Sequence, residues 1–203
     1  MLRAGFSGRE EPATPELRTG TGAYAGAVTS PDSLSGLARA ESLIARIPDF
    51  PEPGILFRDI SPLLADADAM REVIDALVAP FAGEFDVIAG VEARGFLLAG
   101  AAAVAAHVGM VPIRKAGKLP RPAAAVSYDL EYGQATIEMA ADLPEGTRVL
   151  LVDDVLATGG TLRAGQRVLE QLGYRVAGTA VLMELVELGG QQVCGPVHSV
   201  FRV

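Results

Sequence analysis

The sequence is poor in the residues that build disulfides and metal sites. Among 203 residues there is one cysteine, Cys194, and there are two histidines, His107 and His198. A single cysteine excludes an internal disulfide framework and a cysteine-ligated zinc site. Two histidines leave few ligands for a histidine-bound metal. A lone thiol is typical of the reducing cytoplasm, which is the location that we expect.

Positive charge is also scarce. The chain has 17 Lys and Arg against 25 Asp and Glu, for a net charge of -8. Because nucleic-acid binders normally present a basic face, this balance argues against a nucleic-acid partner. The longest nearly apolar run, residues 96–113, is shorter than the roughly 20 residues of a membrane span. The N-terminus has no apolar signal core, so we expect no membrane segment.

Composition divides the chain into two parts. Residues 1–32 are rich in Gly, Ala, Pro, Ser and Thr, and their few large apolar residues follow no period. This predicts a disordered N-terminal tail over residues 1–32. The rest, residues 33–203, is long enough for a single domain. The hydrophobic share of 50% supplies a sizeable core.

The first part of the domain predicts two helices around an irregular segment. Leu37, Ile44 and Ile47 fall on one helical face, and apolar residues from Met70 to Phe81 recur at helical spacing. Between them, residues 47–64 contain four prolines, which excludes a long helix. This segment is too apolar for a solvated linker, so we expect a loop that packs against the body.

The rest of the domain alternates between strand and helix patterns. Strands are predicted over residues 85–91, 111–115, 135–139, 148–154 and 176–185, and helices over residues 96–107 and 162–173. Gly109 is the expected stop signal of the first helix. Residues 116–134 show no clear period. This alternation predicts an α/β fold, with a mainly parallel sheet flanked by helices.

The stretch VLLVDDVLATGGTL, residues 149–162, carries the strongest chemical signal. Asp153 and Asp154 follow an apolar strand, at the end where parallel sheets bind ligands. The turn at residues 157–161 then opens a helix, whose free N–H groups and glycines suit an anion. The carboxylates can accept from sugar hydroxyls or assist Mg²⁺. The combination therefore predicts a phosphosugar site.

Other interpretations of this turn are weaker. A plain strand–turn–helix with a capping threonine and solvated carboxylates would leave the paired aspartates and glycines unexplained. No lysine follows the glycines, which excludes the P-loop pattern, and the spacing is not that of a dinucleotide-binding loop.

The stretch resembles the 5-phosphoribosyl-1-pyrophosphate (PRPP) signature of the type I phosphoribosyltransferase family. Four more segments are similar to that family in the same order: FPEPGILFRDISPLL (50–64), GVEARGF (90–96), RKAGKLP (114–120) and SYDLEYG (127–133). The similarity spans roughly residues 37–190. The tail and the C-terminal VCGPVHSVFRV lie outside it or match weakly.

The resemblance implies a fold with a flexible lid loop and a hood segment for the base. It implies transfer of the phosphoribosyl group of PRPP to a purine, adenine first, giving AMP and pyrophosphate. Xanthine or hypoxanthine is an alternative acceptor. A non-catalytic PRPP-sensing regulator is a third reading, which the acidic charge and the lack of a helix-turn-helix segment before residue 37 disfavour.

The resemblance also implies roles for individual residues. Catalytic roles fall to Glu131, Asp153 and Asp154. PRPP contacts fall to Ala157, Thr158, Gly159, Gly160, Thr161, Arg94, Arg114, Lys115 and Lys118. Base contacts fall to Leu56, Phe57, Arg58 and Leu185. Lid positions fall to Tyr128, Leu130 and Tyr132.

Three further features are implied by the resemblance. Mg²⁺ would be held mainly by PRPP, with Asp153 and Asp154 nearby. Arg114 would reach across the interface of a homodimer. A non-proline cis peptide bond would lie near Glu92 and Ala93.

The residues alone leave simpler readings open. Arg94 could be a surface residue at a helix start, and residues 114–120 a solvated charge cluster. Glu131 could be an exposed loop carboxylate. Phe57 and Leu185 could be ordinary core residues.

Overall fold

The computed structural model describes residues 36–129 and 133–203. Its helices are α1 (Gly36–Ser42), α2 (Ser61–Leu64), α3 (Ala67–Val78), α4 (Arg94–Ala106), α5 (Gly160–Gln171) and α6 (Gln191–Cys194), with 3₁₀ turns at Ala79–Phe81 and Val186–Leu188. Its strands are β1 (Ala45–Pro48), β2 (Leu56–Asp59), β3 (Val87–Val91), β4 (Gly109–Lys115), β5 (Ala124–Asp129), β6 (Gln134–Met139), β7 (Arg148–Leu156), β8 (Arg175–Glu184) and β9 (His198–Arg202). The tail predicted over residues 1–32 lies outside the described residues.

A seven-stranded sheet forms the centre, in the order β5-β6-β4-β3-β7-β8-β9. The five strands from β4 to β9 are parallel, and β5 and β6 extend the sheet with antiparallel pairs. The α/β class and the mainly parallel sheet are thus confirmed. A separate antiparallel hairpin, β1 with β2, lies in the proline-rich segment, where the Phe50–Pro51 bond is cis.

Both faces of the sheet are covered by helices, which makes three layers. On one face Leu150 and Val152 of β7 join the apolar cluster that includes the buried residues of α3 and α4. On the other face Val149 and Leu151 join the cluster that includes the buried residues of α5. Because successive strand residues point to opposite faces, a continuous apolar run is what a strand covered on both sides requires.

Several predicted boundaries were wrong. Helix α1 ends at Ser42, so Ile47 lies in β1 rather than on a helical face. Helix α4 ends because His107 adopts a left-handed conformation with φ of 55°, so Gly109 begins β4 and is not the stop signal. Residues 124–129, predicted without structure, form β5 through pairing with β6. Strand β7 continues two residues past Asp154.

Candidate active site

The candidate site lies where strands β3 and β7 part. Their last pair is Gly90 with Val152, whereas β7 continues beside β8 as far as Leu156. The chain leaves β3 into α4, which packs on one face, and leaves β7 into α5, which packs on the other. Open parallel sheets bind ligands at a crevice of this kind. Asp153 is the first residue of β7 beyond that last pair.

The turn at residues 157–161 borders a concave cavity of about 120 Å³, which all five of its residues line together with Asp153. Gly159 has a φ of 86°, a conformation that L side chains rarely adopt, and it precedes the first turn of α5. The free N–H groups at this helix start are donors for an anion. The structure therefore brings the predicted phosphate turn and one predicted carboxylate to the same cavity.

Asp153 is a buried carboxylate in tight surroundings. Its Oδ1 accepts a hydrogen bond from the backbone N–H of Asp154 at 2.8 Å. A Cβ atom added to Gly95 would lie 2.8 Å from the same oxygen, so the glycine gives the carboxylate its space. Burial, followed by the negative charge of Asp154, raises the pKa of Asp153 well above its usual value. A cationic ligand beside it would favour its ionised form.

Asp154 faces Arg94, which also covers the ring of Phe57. The guanidinium Nη2 of Arg94 lies 2.8 Å from Asp154 Oδ2. The angles are not those of a hydrogen bond, and Oδ2 is buried without a hydrogen-bond donor within residues 36–129 and 133–203. The guanidinium carbon lies 5.3 Å from the centroid of the Phe57 ring. Arg94, predicted as a PRPP contact, thus also forms part of the apolar pocket described next.

A mostly apolar pocket of about 170 Å³ brings together the predicted base-binding residues. It is lined by Ile55, Leu56, Phe57, Arg58, Arg94, Asp154, Val155, Met183 and Leu185. Leu185 is held by its backbone N–H, which donates to the carbonyl oxygen of Leu156 at 2.9 Å. Val155 lines both this pocket and the cavity at the phosphate turn. The two cavities are therefore neighbours along one strand.

The basic segment gathers around Glu92. Lys118 Nζ lies 2.6 Å from Glu92 Oε1, and the backbone N–H of Lys115 donates to Oε2 at 3.1 Å. Arg114 Nε lies 3.5 Å from Oε2. The hydrogen bond from Lys118 is the main cause that lowers the pKa of Glu92. The Glu92–Ala93 bond is cis, as predicted.

Two glutamates that organise the site were missed. Glu138 on β6 accepts from the backbone N–H groups of Lys118 and Leu119 at 3.1 and 2.9 Å, and the bond from Leu119 is the main cause that lowers its pKa. Glu184 on β8 accepts from Gln191 and from Arg202, directly before Leu185. A glutamate inside an apolar strand is rarely buried without partners, and this signal could have found both.

The lid segment is only partly within the described residues. Tyr128 lies on β5, not in a loop, and its hydroxyl accepts a hydrogen bond from Thr161 Oγ1 at 3.1 Å. Leu130, Glu131 and Tyr132 lie outside the described residues, so their roles stay predictions.

The carboxylates fit a metal ion that a substrate brings. Within residues 36–129 and 133–203, no group of three or more His, Cys, Asp or Glu side chains could hold a metal ion. Mg²⁺ is usually bound by one or two carboxylates together with substrate phosphates. Asp153 and Asp154, one of them with a buried oxygen that lacks a donor, match that donor set. The histidines lie elsewhere: His107 caps α4, and His198 Nε2 lies 2.9 Å from the carbonyl oxygen of Ala76.

Comparisons with known proteins agree with this geometry. The sequence profile of the phosphoribosyl transferase domain matches residues 60–191. The chain belongs to the phosphoribosyltransferase family. An adenine phosphoribosyltransferase of Arthrobacter sp. is 59% identical over 151 residues, which cover 74% of this chain and 82% of that protein. The protein is therefore a pentosyltransferase, as the resemblance of its sequence motifs implied.

Solved structures show the same fold. The adenine phosphoribosyltransferase of Rhodothermus marinus is 46% identical, with a TM-score of 0.77 over 83% of this chain and 98% of that chain. The Saccharomyces cerevisiae enzyme, solved with adenine and an imino-altritol bisphosphate, is 36% identical, with a TM-score of 0.77 over 82% of this chain and 98% of that chain. In the described part of this transferase, no helix is long and apolar enough to cross a membrane.

Proposed function

We propose that this transferase moves the 5-phosphoribosyl group of PRPP to adenine, giving AMP and pyrophosphate. One observation carries the proposal: Val155 lines both the phosphate-turn cavity and the apolar pocket. Asp153 borders the first cavity and Asp154 the second. A ligand with a phosphate at one end, a sugar beside carboxylates and a flat apolar base at the other end fits this order. That ligand is a nucleotide.

The identity of the base is supported by the relatives. The Arthrobacter protein carries the name adenine phosphoribosyltransferase, and the yeast structure contains adenine. The same family pattern disfavours a sensor without catalysis, because the site retains its carboxylates and its basic segment.

The reaction breaks the bond between C1 of the ribose and the pyrophosphate oxygen, and N9 of adenine forms the new bond to C1. In our proposal the turn at residues 157–161 holds the 5-phosphate through backbone N–H groups and hydroxyls. The carboxylates of Asp153 and Asp154 lie next to the ribose. As positive charge develops on C1, the two carboxylates favour it.

The leaving pyrophosphate requires positive charge. Arg114, Lys115 and Lys118 supply it in this proposal, and Lys118 exchanges its contact with Glu92 for the phosphate oxygens. Bound Mg²⁺ supplies charge neutralisation on the same group. The backbone bonds from Lys118 and Leu119 to Glu138 hold this segment in place meanwhile.

Adenine enters the pocket between Phe57 and Leu185 in this proposal. Because Arg94 covers the Phe57 ring in the free protein, base binding moves its guanidinium from that ring or places the purine beside it. Backbone groups near Leu56 and Arg58 read the edge of the base. Glu131 takes the role of the acid–base residue at the purine, and Leu130 and Tyr132 that of the lid which excludes water.

The Mg²⁺ requirement, the homodimer and the cytoplasmic location belong to the same proposal. The paired carboxylates support the first. The partly exposed side chain of Arg114, beside the site and at the end of β4, supports the second. The single free cysteine supports the third.

The test is product analysis. The protein is mixed with PRPP, Mg²⁺ and one purine at a time, and nucleotides are separated by chromatography, with omission of Mg²⁺ as the control. We expect AMP from adenine and little product from hypoxanthine or xanthine. Preferential formation of IMP or XMP would show that the acceptor is hypoxanthine or xanthine rather than adenine. PRPP binding without any product would favour the sensor.

A further inference from the structure

A tyrosine outside the phosphate turn reaches one of its hydroxyls. Thr161 lies in the first turn of α5 and lines the phosphate cavity. Its Oγ1 donates a hydrogen bond to the hydroxyl of Tyr128 at 3.1 Å, although the two residues are 33 positions apart. Tyr128 comes from β5, the edge strand of the sheet, and is partly buried. A second element thus brings a polar group within hydrogen-bond distance of a residue that lines this cavity, although Tyr128 itself does not line it.

The hydroxyl of Tyr128 keeps an unused proton. A phenol donates one hydrogen bond and can accept others. In this contact it accepts, so its own proton is free, and no acceptor for it is present within residues 36–128 and 133–203. The free donor lies within hydrogen-bond distance of the Thr161 hydroxyl, which lines the cavity. An anionic oxygen of a ligand bound beside Thr161 would match it. Bonds from neutral donors to charged acceptors are among the stronger ones in proteins.

We infer that Tyr128 binds the 5-phosphate of the ribosyl substrate by donating its phenolic proton, in addition to the turn at residues 157–161. This rests on the proposed function only in naming the substrate. It replaces the lid role predicted for Tyr128 with a binding role. Tyr128 then selects ligands that carry a 5-phosphate and takes no part in recognising pyrophosphate.

Tyr174 offers a matched control. Its hydroxyl accepts from the N–H and donates to the carbonyl oxygen of Leu143, both at 3.3 Å, so it has no unused proton. It follows α5 at the opposite end of the helix from the phosphate turn. Replacing either tyrosine with phenylalanine removes one hydroxyl and leaves the ring.

The decisive measurement is calorimetric titration of the full-length protein with two ligands separately, ribose 5-phosphate and pyrophosphate. For Tyr128→Phe we expect the Kd for ribose 5-phosphate to rise about tenfold, because one hydrogen bond to a charged group is lost. The Kd for pyrophosphate should stay unchanged. Tyr174→Phe should leave both unchanged. Equal weakening of both ligands, or no weakening of ribose 5-phosphate, would overturn the inference.

Steady-state kinetics separate binding from lid closure. For Tyr128→Phe we expect a higher KM for PRPP, with kcat and the KM for adenine within about twofold of the original values. A collapse of kcat with unchanged affinity for ribose 5-phosphate would instead assign Tyr128 to the lid and overturn the binding role. Titration with ribose 5-phosphate needs no turnover. A protein that does not transfer to adenine can therefore still confirm or contradict the contact of Tyr128 with the 5-phosphate.

Discussion

The backbones of Gly159 and Gly190 touch at a distance that no side chain would allow. A Cβ atom added to Gly159 would lie 2.4 Å from the carbonyl oxygen of Gly190, and one added to Gly190 would lie 2.3 Å from that of Ala157. Gly159 belongs to the phosphate turn, and Gly190 follows the base-pocket residue Leu185 by five positions. The phosphate turn is therefore held by direct backbone contact against the segment that follows the base-pocket residue Leu185.

Substitution of Gly190 should displace the phosphate turn. Gly190 has a φ of -56°, which alanine adopts readily, so the change Gly190→Ala adds only a steric conflict. Overpacking of this kind typically costs about 1–3 kcal/mol. We expect a lower Tm and a KM for PRPP raised about tenfold or more, measured by thermal unfolding and steady-state kinetics.

Gly100→Ala is the control, because a Cβ atom there meets nothing within 4 Å. It lies inside α4, where alanine is favoured over glycine by up to about 1 kcal/mol. Its kinetics should match the original protein. An unchanged KM for PRPP in Gly190→Ala would show that the contact does not position the turn.

Replacement of Asp153 should separate activity from stability. Burial and the charge of Asp154 raise the pKa of Asp153, so the folded protein favours its neutral form. The stabilising contribution of a raised carboxyl pKa is full below the unfolded pKa of about 3.9 and is lost as the pH rises through the folded value. At pH 8 the neutral amide of Asp153→Asn avoids that loss, and we expect a Tm no lower than the original.

Turnover of Asp153→Asn should nonetheless fall by about 100-fold or more, because a carboxylate beside the reacting ribose is removed. Urea unfolding and AMP formation are the two measurements. A variant that unfolds much earlier than the original protein would contradict the electrostatic argument, and near-normal turnover would contradict the catalytic one.

Asp86 and Arg148 should make stability sensitive to acid. Two hydrogen bonds between the side chains and one from the backbone N–H of Arg148 lower the pKa of Asp86 to about 2. A lowered carboxyl pKa contributes stability above its unfolded value of about 3.9, and that contribution is lost as the pH falls through the folded value.

We therefore expect Asp86→Asn to lower the Tm at pH 7 and to have little effect near pH 2, as followed by circular dichroism. Asp142→Asn is the control, because Asp142 forms only a long, exposed ion pair: its Oδ1 lies 3.6 Å from Nη2 of the exposed Arg121. A Tm difference between Asp86→Asn and the original protein that persists unchanged down to pH 2 would contradict the assigned cause.

The proposed homodimer can be tested by mixing inactive variants. If Arg114 serves the site of the partner subunit, a heterodimer of Arg114→Ala with Asp153→Asn has one complete site. Random exchange of subunits should then restore about a quarter of the original activity, because half of the dimers are mixed and each has one working site. No recovery after verified exchange, or an active monomer in sedimentation, would contradict the shared site.

The parts of the fold that follow from local pattern were predicted well. The buried strand β7 and the helices α3 and α5 follow from continuous or periodic apolar residues, and their positions agree with the structure within a few residues. His107 was missed as a helix end because a left-handed conformation is usual for glycine and uncommon for histidine. Strand β5 was missed because Val126 is the one buried residue among residues 124–128, and the strand depends on pairing with β6.

The site was predictable in its central motif and less so in its supports. Two adjacent aspartates and two adjacent glycines mark the turn after Asp154 in the sequence. Glu138 and Glu184 each carry a general signal, a glutamate inside an apolar strand, but the backbone and amide groups that they bind are distant in sequence, so only the fold identifies those partners. The contact between Thr161 and Tyr128 depends on how β5 crosses α5, which only the folded chain determines.

The position of β7 in the middle of the sheet has a consequence for amide hydrogen exchange. Amides in a central strand with partners on both sides generally exchange only when the whole domain unfolds, whereas edge elements exchange through local opening. Leu150, Leu151 and Val152, which have partners on both β3 and β8, therefore belong to the slowest-exchanging part of the protein and directly precede Asp153 and Asp154, while Tyr128, on the edge strand β5, belongs to a faster class. The strand that carries the two carboxylates would therefore stay in place during each catalytic cycle. Ligand binding would slow amide exchange near Tyr128 rather than in β7.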